Sequence, residues 1–177
     1  TQLGEGLLNP DLFSMVRYAE DAGVPCSVNT NGQLVERRID EILESGLSMI
    51  KIAVDGIDAE THERYRVGAD FEAVKRGVEV LCRERDRRGL TKPHITVLHL
   101  MFRFNQGQQE ELKRWADAAG ADRVGFKPVR LGSSEFLGPD KDRREALIEE
   151  FLPPESELRH DAYTGVDLCR DHRVCPN

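Results

Sequence analysis

Three short polar segments hold the residues best suited to chemistry: Gly4-Glu5-Gly6, Ser27-Val28-Asn29-Thr30-Asn31-Gly32, and Asp55-Gly56. In the first, glycines let a ligand approach the backbone, and the Glu5 carboxylate is an acceptor for an amine. In the second, polar side chains alternate at the edge of a sheet. In the third, a carboxylate closes an apolar run. Each has an ordinary structural reading as well. Gly-Glu-Gly is a common turn, Asn31-Gly32 makes a good turn unaided, and Asp55 can simply cap a loop. Three such ends in succession, however, converge on one mouth, which is how a polar small-molecule site is built.

Other residue types in the chain can also do chemistry. Cys169 and Cys175 flank a basic, polar pentad; a lone Cys-x5-Cys is a weak metal signal, and two free thiols are the alternative. Cys26, within a strand, and Cys82, on an apolar helix face, read as core thiols. His62, His94, His99, His160 and His172 show no ligand spacing, and no metal role is assigned to them. Of the lysines, Lys127 is placed for Schiff-base chemistry. Lys51 reads as beginning its strand, on the side away from a ligand.

The elements that must position these groups alternate along the chain. A helix is expected over 9–23, with Asn9-Pro10 at its start and Leu12, Val16 and Ala19 inward, Met15 beside them. A strand follows over 25–29, then a helix over 36–45 with Ile39, Ile42 and Leu43 buried. Residues 49–54 form a nearly continuous apolar run broken by Lys51, as in a parallel strand covered on both faces. Asp58 caps a short helix to about Tyr65, and Asp70 opens a longer one through Phe71, Val74, Val78 and Leu81. Strands over 95–104 and 123–129 bracket a helix over 108–119 packed through Leu112, Trp115 and Ala116. Gly132-Ser133-Ser134 is a loop, 140–151 a helix, and Pro153-Pro154 a break. Such alternation means an α/β fold with a parallel sheet and right-handed crossovers. Barrel and doubly wound closure both fit the pattern, and both place ligands at the carboxyl ends of the strands.

Composition narrows the function classes. At 177 residues, 39% apolar and 32% charged, the chain suits one domain or a domain with an appendage. It has no apolar run long enough for a membrane-spanning helix, nor a basic start followed by an apolar stretch. A net charge of −7 argues against nucleic-acid binding as the main business of the surface. The mixed run Arg83 to Arg88 is expected as a solvated helix terminus. Four scattered cysteines fit a reducing cytoplasm rather than a disulfide scaffold. Both ends of the chain read as cuts, Thr1 lying in what looks like a strand end.

The stretch Gly4-Glu5-Gly6-Leu7-Leu8-Asn9-Pro10-Asp11-Leu12 resembles the Gly-Glu-Pro-Leu-Leu-Asn-Pro segment of radical SAM enzymes. Ser27 to Gly32 resembles their Thr-Asn-Gly strand end, and Ile52-Ala53-Val54-Asp55-Gly56 their Ile-Ser-Leu-Asp-Gly strand. Glu63-Arg64-Tyr65-Arg66 and Phe71-Glu72-Ala73-Val74 are also similar to that family, so the likeness is specific over residues 3–80 and weaker to about 130. It implies a partial parallel (β/α)6 barrel over 1–152, carrying five of six units and lacking its first strand. The implied cofactors are S-adenosylmethionine (SAM) and a [4Fe–4S] cluster. The implied reaction is reductive SAM cleavage to a 5′-deoxyadenosyl radical that abstracts hydrogen from a small-molecule or peptide substrate. Flavodoxin or ferredoxin is the implied electron donor.

Position by position, the resemblance puts Gly4 and Glu5 at the methionine amino group and Asn29 near the ribose, with Ser27 and Asn31 on the same strand end. Asp55 would face SAM or substrate, and Arg66 would meet a carboxylate or substrate, with a helix-surface ion pair as its rival reading. Residues 153–177 resemble a linker and the start of a cysteine-rich SPASM extension, in which Cys175 and Cys169 would bind an auxiliary Fe–S cluster. The departures are equally informative. The family's Cys-x3-Cys-x2-Cys loop is absent, which is expected to reflect a cut upstream of Thr1, so the fragment alone should be inactive. Ala53 stands where many members carry serine, Gly6 replaces proline, and one glycine precedes Glu5. The alternatives are a cluster-free barrel binding a nucleotide or amino acid, and a barrel lyase using Lys127.

Overall fold

The computed structural model describes residues 4–129 and 141–152. Among them lie four strands, β1 (Ser27–Thr30), β2 (Met49–Ala53), β3 (His94–Met101) and β4 (Arg123–Pro128), side by side in chain order in an open sheet. The helices are α1 (Leu12–Asp21), α2 (Ile39–Glu44), α3 (Ala59–Tyr65), α4 (Phe71–Arg87), α5 (Gln109–Ala119) and α6 (Lys141–Phe151). β1, β2 and β3 pair in parallel, as the alternation requires. The chain divides into two compact units, Thr1–His99 with Gln108–Gly125, and Leu100–Gly107 with Phe126–Asn177. Residues 153–177, and with them Cys169 and Cys175, lie outside the described residues, as does the strand end before Gly4.

In the first unit the register sorts side chains into rows. Val28, Ile50 and Ile95 are partners across three strands, as are Thr30, Ile52 and Val97, and all six are buried. This face meets the helices, whose buried residues include Ile39, Ile42, Leu43, Val74, Val78, Leu81, Leu112 and Ala116. Lys51 and Ala53 fall on the opposite face. β2 is therefore not the evenly apolar strand expected; it alternates, because one face packs on helices and the other opens to a cavity.

Local chemistry sets the ends. Asp58 caps α3 by accepting from Thr61 N–H at 2.8 Å, and Asp70 caps α4 by accepting from Ala73 N–H at 2.9 Å. The helix expected from Asn9 starts at Leu12 instead. Asn9 Oδ1 accepts from Asp11 N–H at 2.9 Å, holding Asn9-Pro10 in a turn after the 3-10 turn Gly6–Leu8. On α1 the buried residues are Phe13 and Val16, while Met15 is exposed. On α5 Trp115 is half-buried and its indole N–H donates to Glu79 at 2.9 Å.

The amino ends of the strands are stapled by carboxylates. Glu20 accepts from Cys26 N–H at 2.7 Å, Ser48 N–H at 2.8 Å and Ser48 O–H at 2.9 Å, with Lys92 at 3.1 Å. These bonds, that from the Ser48 hydroxyl foremost, push its pKa down to about 2. Arg85 departs from the solvated terminus expected of the Arg83–Arg88 run. It is buried, pairs with Asp122 and Asp86, and donates to the carbonyls of Pro93 and Gly120. Asp122 in turn accepts from Ile95 N–H at 2.6 Å. An Arg in a sign-mixed run turns inward here because backbone carbonyls and two carboxylates satisfy its donors.

The second unit has its own small core, Phe102, Val129 and Leu152 with Leu100, Phe104, Ile148 and Phe151. Phe102 and Phe104 stack at 5.0 Å, and Phe151 meets both edge-on at 6.1 Å.

Two outcomes are expected. Gly32 has φ 86°, and a Cβ there would lie 2.7 Å from Val74 Cγ1 and 3.0 Å from Ile52 Cγ2. Gly32→Ala should therefore lose about 2–4 kcal/mol in urea unfolding, from left-handed strain plus overpacking; an unchanged midpoint would contradict this. Glu20 is held below its ordinary 4.5, so its contribution is present above about 4.5 and is lost as pH falls toward about 2. Glu20→Gln should flatten the decline of stability between pH 5 and 3 relative to wild type, and parallel declines would contradict the staple.

Candidate functional site

A cavity of about 520 Å³ opens at the carboxyl ends of β1 and β2, lined by Gly4, Glu5, Asn29, Thr30, Asn31, Lys51, Ala53, Arg66 and Leu98. That volume lies within the roughly 300–1,000 Å³ typical of small-molecule sites. A second depression, lined by Gln33 and residues 65–69, shares Asn31 and Arg66 with it. Two rows of the sheet supply the floor through Asn29, Lys51, Ala53 and Leu98. Asn29, Lys51 and Thr96 are register partners, and Ala53 and Leu98 pair in the next row toward the strand ends.

Glu5 organises the rim. One carboxylate oxygen accepts from Leu7 N–H at 3.0 Å, closing the 3-10 turn, and the other accepts from Asn31 N–H at 2.7 Å. The loop before α1 is thereby tied to the end of β1, twenty-six residues away. Gly4, at φ 84°, stands beside it, and a Cβ there would meet no atom within 4 Å. Its backbone conformation suits glycine and its surroundings leave room for a ligand. Arg38 holds the other side of the loop. Its guanidinium donates to Leu7 O at 2.6 Å and Asn9 O at 2.8 Å, pairs with Glu41 at 2.6 Å, and lies 4.8 Å over the Phe13 ring. At the end of β1, Thr30 Oγ1 accepts from Gly32 N–H at 3.1 Å and Asn31 Oδ1 from Gln33 N–H at 3.0 Å. The turn is fixed by its own side chains.

The end of β2 is organised by burial. Asp55 is fully buried, and Arg66 Nε lies 2.6 Å from its Oδ2. Asp55 N–H donates to His62 Nδ1 at 3.1 Å, which places the imidazole proton on Nε2. Burial pushes the His62 pKa down, against the pull of the Asp55 charge, so the ring is kept neutral. The α3 helix thus docks on the end of β2 and delivers Arg66 to the rim.

The expected site residues separate as follows. Gly4, Glu5, Asn29, Asn31 and Arg66 share the cavity. Ser27 is exposed at the amino end of β1, opposite Met49, and does not line it. Asp55 sits behind Arg66 as its counter-ion, so Arg66 is not a helix-surface pair. Thr30 and Leu98 are additional lining residues. Lys51 is the clearest correction: it is the middle residue of β2 and lines the cavity, not the far side. Its two-residue spacing from Ala53 carries that information, since alternate residues share a face. Lys127 belongs to the second unit and is exposed on β4.

The donor set matches the two implied cofactors unequally. A cavity offering a carboxylate, a guanidinium, backbone groups beside an open glycine and two asparagines fits a zwitterionic amino acid joined to a ribose. For an iron–sulfur cluster the described residues supply no ligand set: no group of three His, Cys, Asp or Glu is placed to hold a metal among them. Cys82 is buried, its thiol pushed up to about 12 by desolvation, and Cys26 precedes β1 at the amino end.

Comparison with known proteins agrees with this geometry. The family model of the Radical SAM superfamily matches residues 2–116. An AdoMet-dependent heme synthase of Methanosarcina barkeri is 40% identical over 80 residues, covering 44% of this chain and 23% of that protein. A Methanococcus maripaludis protein named "Probable GTP 3',8-cyclase" is 31% identical over 160 residues, 89% of this chain and 43% of its own length. The chain thus spans less than half of these relatives. The crystal structure of archaeal TYW1 matches in fold, with a TM-score of 0.53 at 17% identity over 83% of this chain and 47% of that one. With its family model spanning most of the chain and the motif residues gathered at one strand-end cavity, this protein belongs to the Radical SAM superfamily.

Proposed function

We propose that the cavity at the ends of β1 and β2 binds SAM, as part of an enzyme that uses it for hydrogen abstraction from a small-molecule or peptide substrate. The observation that carries this reading is the rim, where the Glu5 carboxylate fixes both the Gly4 loop and Asn31 around open space. In this reading Gly4 and Glu5 receive the methionine ammonium. Glu5 has lone pairs left for it, since each oxygen already accepting one N–H can accept another. Asn29 and Asn31 meet the ribose hydroxyls, and Arg66, oriented by buried Asp55, meets the methionine carboxylate or the substrate. Ala53 leaves a methyl where a serine would add a hydrogen bond, so the neighbouring asparagines carry more of the polar recognition.

A reduced [4Fe–4S] cluster would supply the electron that splits bound SAM into methionine and a 5′-deoxyadenosyl radical. The part of this chain's residues is to orient the cofactor and keep water from the reacting end, with Leu98 and the apolar stems of the rim excluding solvent. A flavodoxin or ferredoxin as electron donor, a cytoplasmic location, and an auxiliary cluster at Cys169 and Cys175 complete the proposal.

Isothermal titration of the chain with SAM tests it. Wild type should bind, and Glu5→Gln should bind about 10–100-fold more weakly, the equivalent of a lost charge-assisted hydrogen bond. Absence of binding to wild type, or equal binding by a folded Glu5→Gln variant, would overturn the reading.

A further inference from the structure

Two cations, Arg66 and Lys51, line the cavity. Arg66 is held through Nε by Asp55 at 2.6 Å. Lys51 is half-buried between fully buried Ile50 and Ile52, and its ammonium has no hydrogen bond or ion pair among the described residues. The carboxylate that shares its cavity, Glu5, bonds two backbone N–H groups of the rim and makes no ion pair with Lys51. Its place on the cavity lining leaves the ammonium reachable by a ligand in the cavity. The register partners of Lys51 are uncharged: Asn29 on β1, which lines the cavity, and Thr96 on β3, which is buried and does not. An ammonium on the cavity floor with no carboxylate paired to it is a donor for an oxyanion.

Depth separates Lys51 from the rim of the proposed cofactor site. Lys51 lies two residues before Ala53, about 6.6 Å further from the strand ends at the usual rise per residue. Gly4, Glu5 and Asn31 all belong to the rim. We propose that Lys51 binds a carboxylate or phosphate group of the substrate on the cavity floor, beneath SAM. This rests on the SAM reading of the rim, and it assigns the substrate class as anionic. Lysine suits the task as a compact charge on a flexible stem that can follow the anion into the cavity.

The test is a titration of wild type, Lys51→Met, Lys51→Gln and Lys51→Arg with three probes: SAM, inorganic pyrophosphate and succinate. At least one oxyanion probe should bind wild type with SAM present, pyrophosphate indicating a phosphoryl substrate and succinate a carboxylate. Lys51→Met and Lys51→Gln should weaken that binding by about tenfold or more, and Lys51→Arg should recover most of it. SAM affinity should stay within about twofold in all variants that retain the wild-type melting temperature. Oxyanion binding indifferent to Lys51, or failure of both probes to bind wild type, would overturn the proposal. So would a parallel loss of SAM affinity, which would assign Lys51 to the cofactor's own carboxylate. If wild type binds an oxyanion through Lys51 but never binds SAM, the floor assignment stands and the cofactor reading of the rim falls.

Discussion

The two-pronged hydrogen bonding of Glu5 is the constraint on which the site depends. A carboxylate with one oxygen on Leu7 N–H and the other on Asn31 N–H fixes two loops that the chain itself leaves far apart. Charge-assisted bonds to backbone are among the stronger ones available to a side chain. The Arg38 contacts to the carbonyls of Leu7 and Asn9 tie the same loop to the start of α2. Glu5 therefore shapes the cavity before it touches any ligand.

The rest of the first unit divides its labour between the two ends of the strands. At the amino ends, Glu20 and the Arg85–Asp122 pair tie loops to strands with saturated hydrogen bonding. These are stabilising staples, spent on the protein itself. At the carboxyl ends, polar groups are only partly spent. Asp55 is consumed in orienting Arg66, while Asn29 and Lys51 are turned to the cavity. Parallel β/α sheets concentrate ligand binding at that end, and here the distribution of satisfied and available polar groups follows the same polarity.

Much of this was legible in the sequence because it rests on local rules. Asp58 and Asp70 announce their helices as caps, and Asn31-Gly32 announces its turn. The strand ends that gather Gly4, Glu5, Asn29, Asn31 and Arg66 were visible as polar punctuation of apolar runs. What stayed hidden depends on long-range partners. Nothing in Ser27 tells that it lies at the wrong end of its strand. The inward turn of Arg85 depends on Asp122 and the Pro93 and Gly120 carbonyls, none of them adjacent in the chain. Lys51 escapes local rules for a different reason. The run around it is apolar, with Ala53 on its own face nearly as buried as Ile50 and Ile52 on the other, and this masks the two-residue period.

The central claim is that the cavity at the ends of β1 and β2 is the cofactor site. Backbone amide NMR of the ¹⁵N-labelled chain during titration with SAM tests it most directly. The account predicts that shift changes concentrate at Gly4, Glu5, Leu7, Asn29, Thr30, Asn31 and Arg66. Changes centred instead on the smaller cavity of Gly56, Ile57, Phe71 and Trp115, or no changes at saturating SAM, would contradict it.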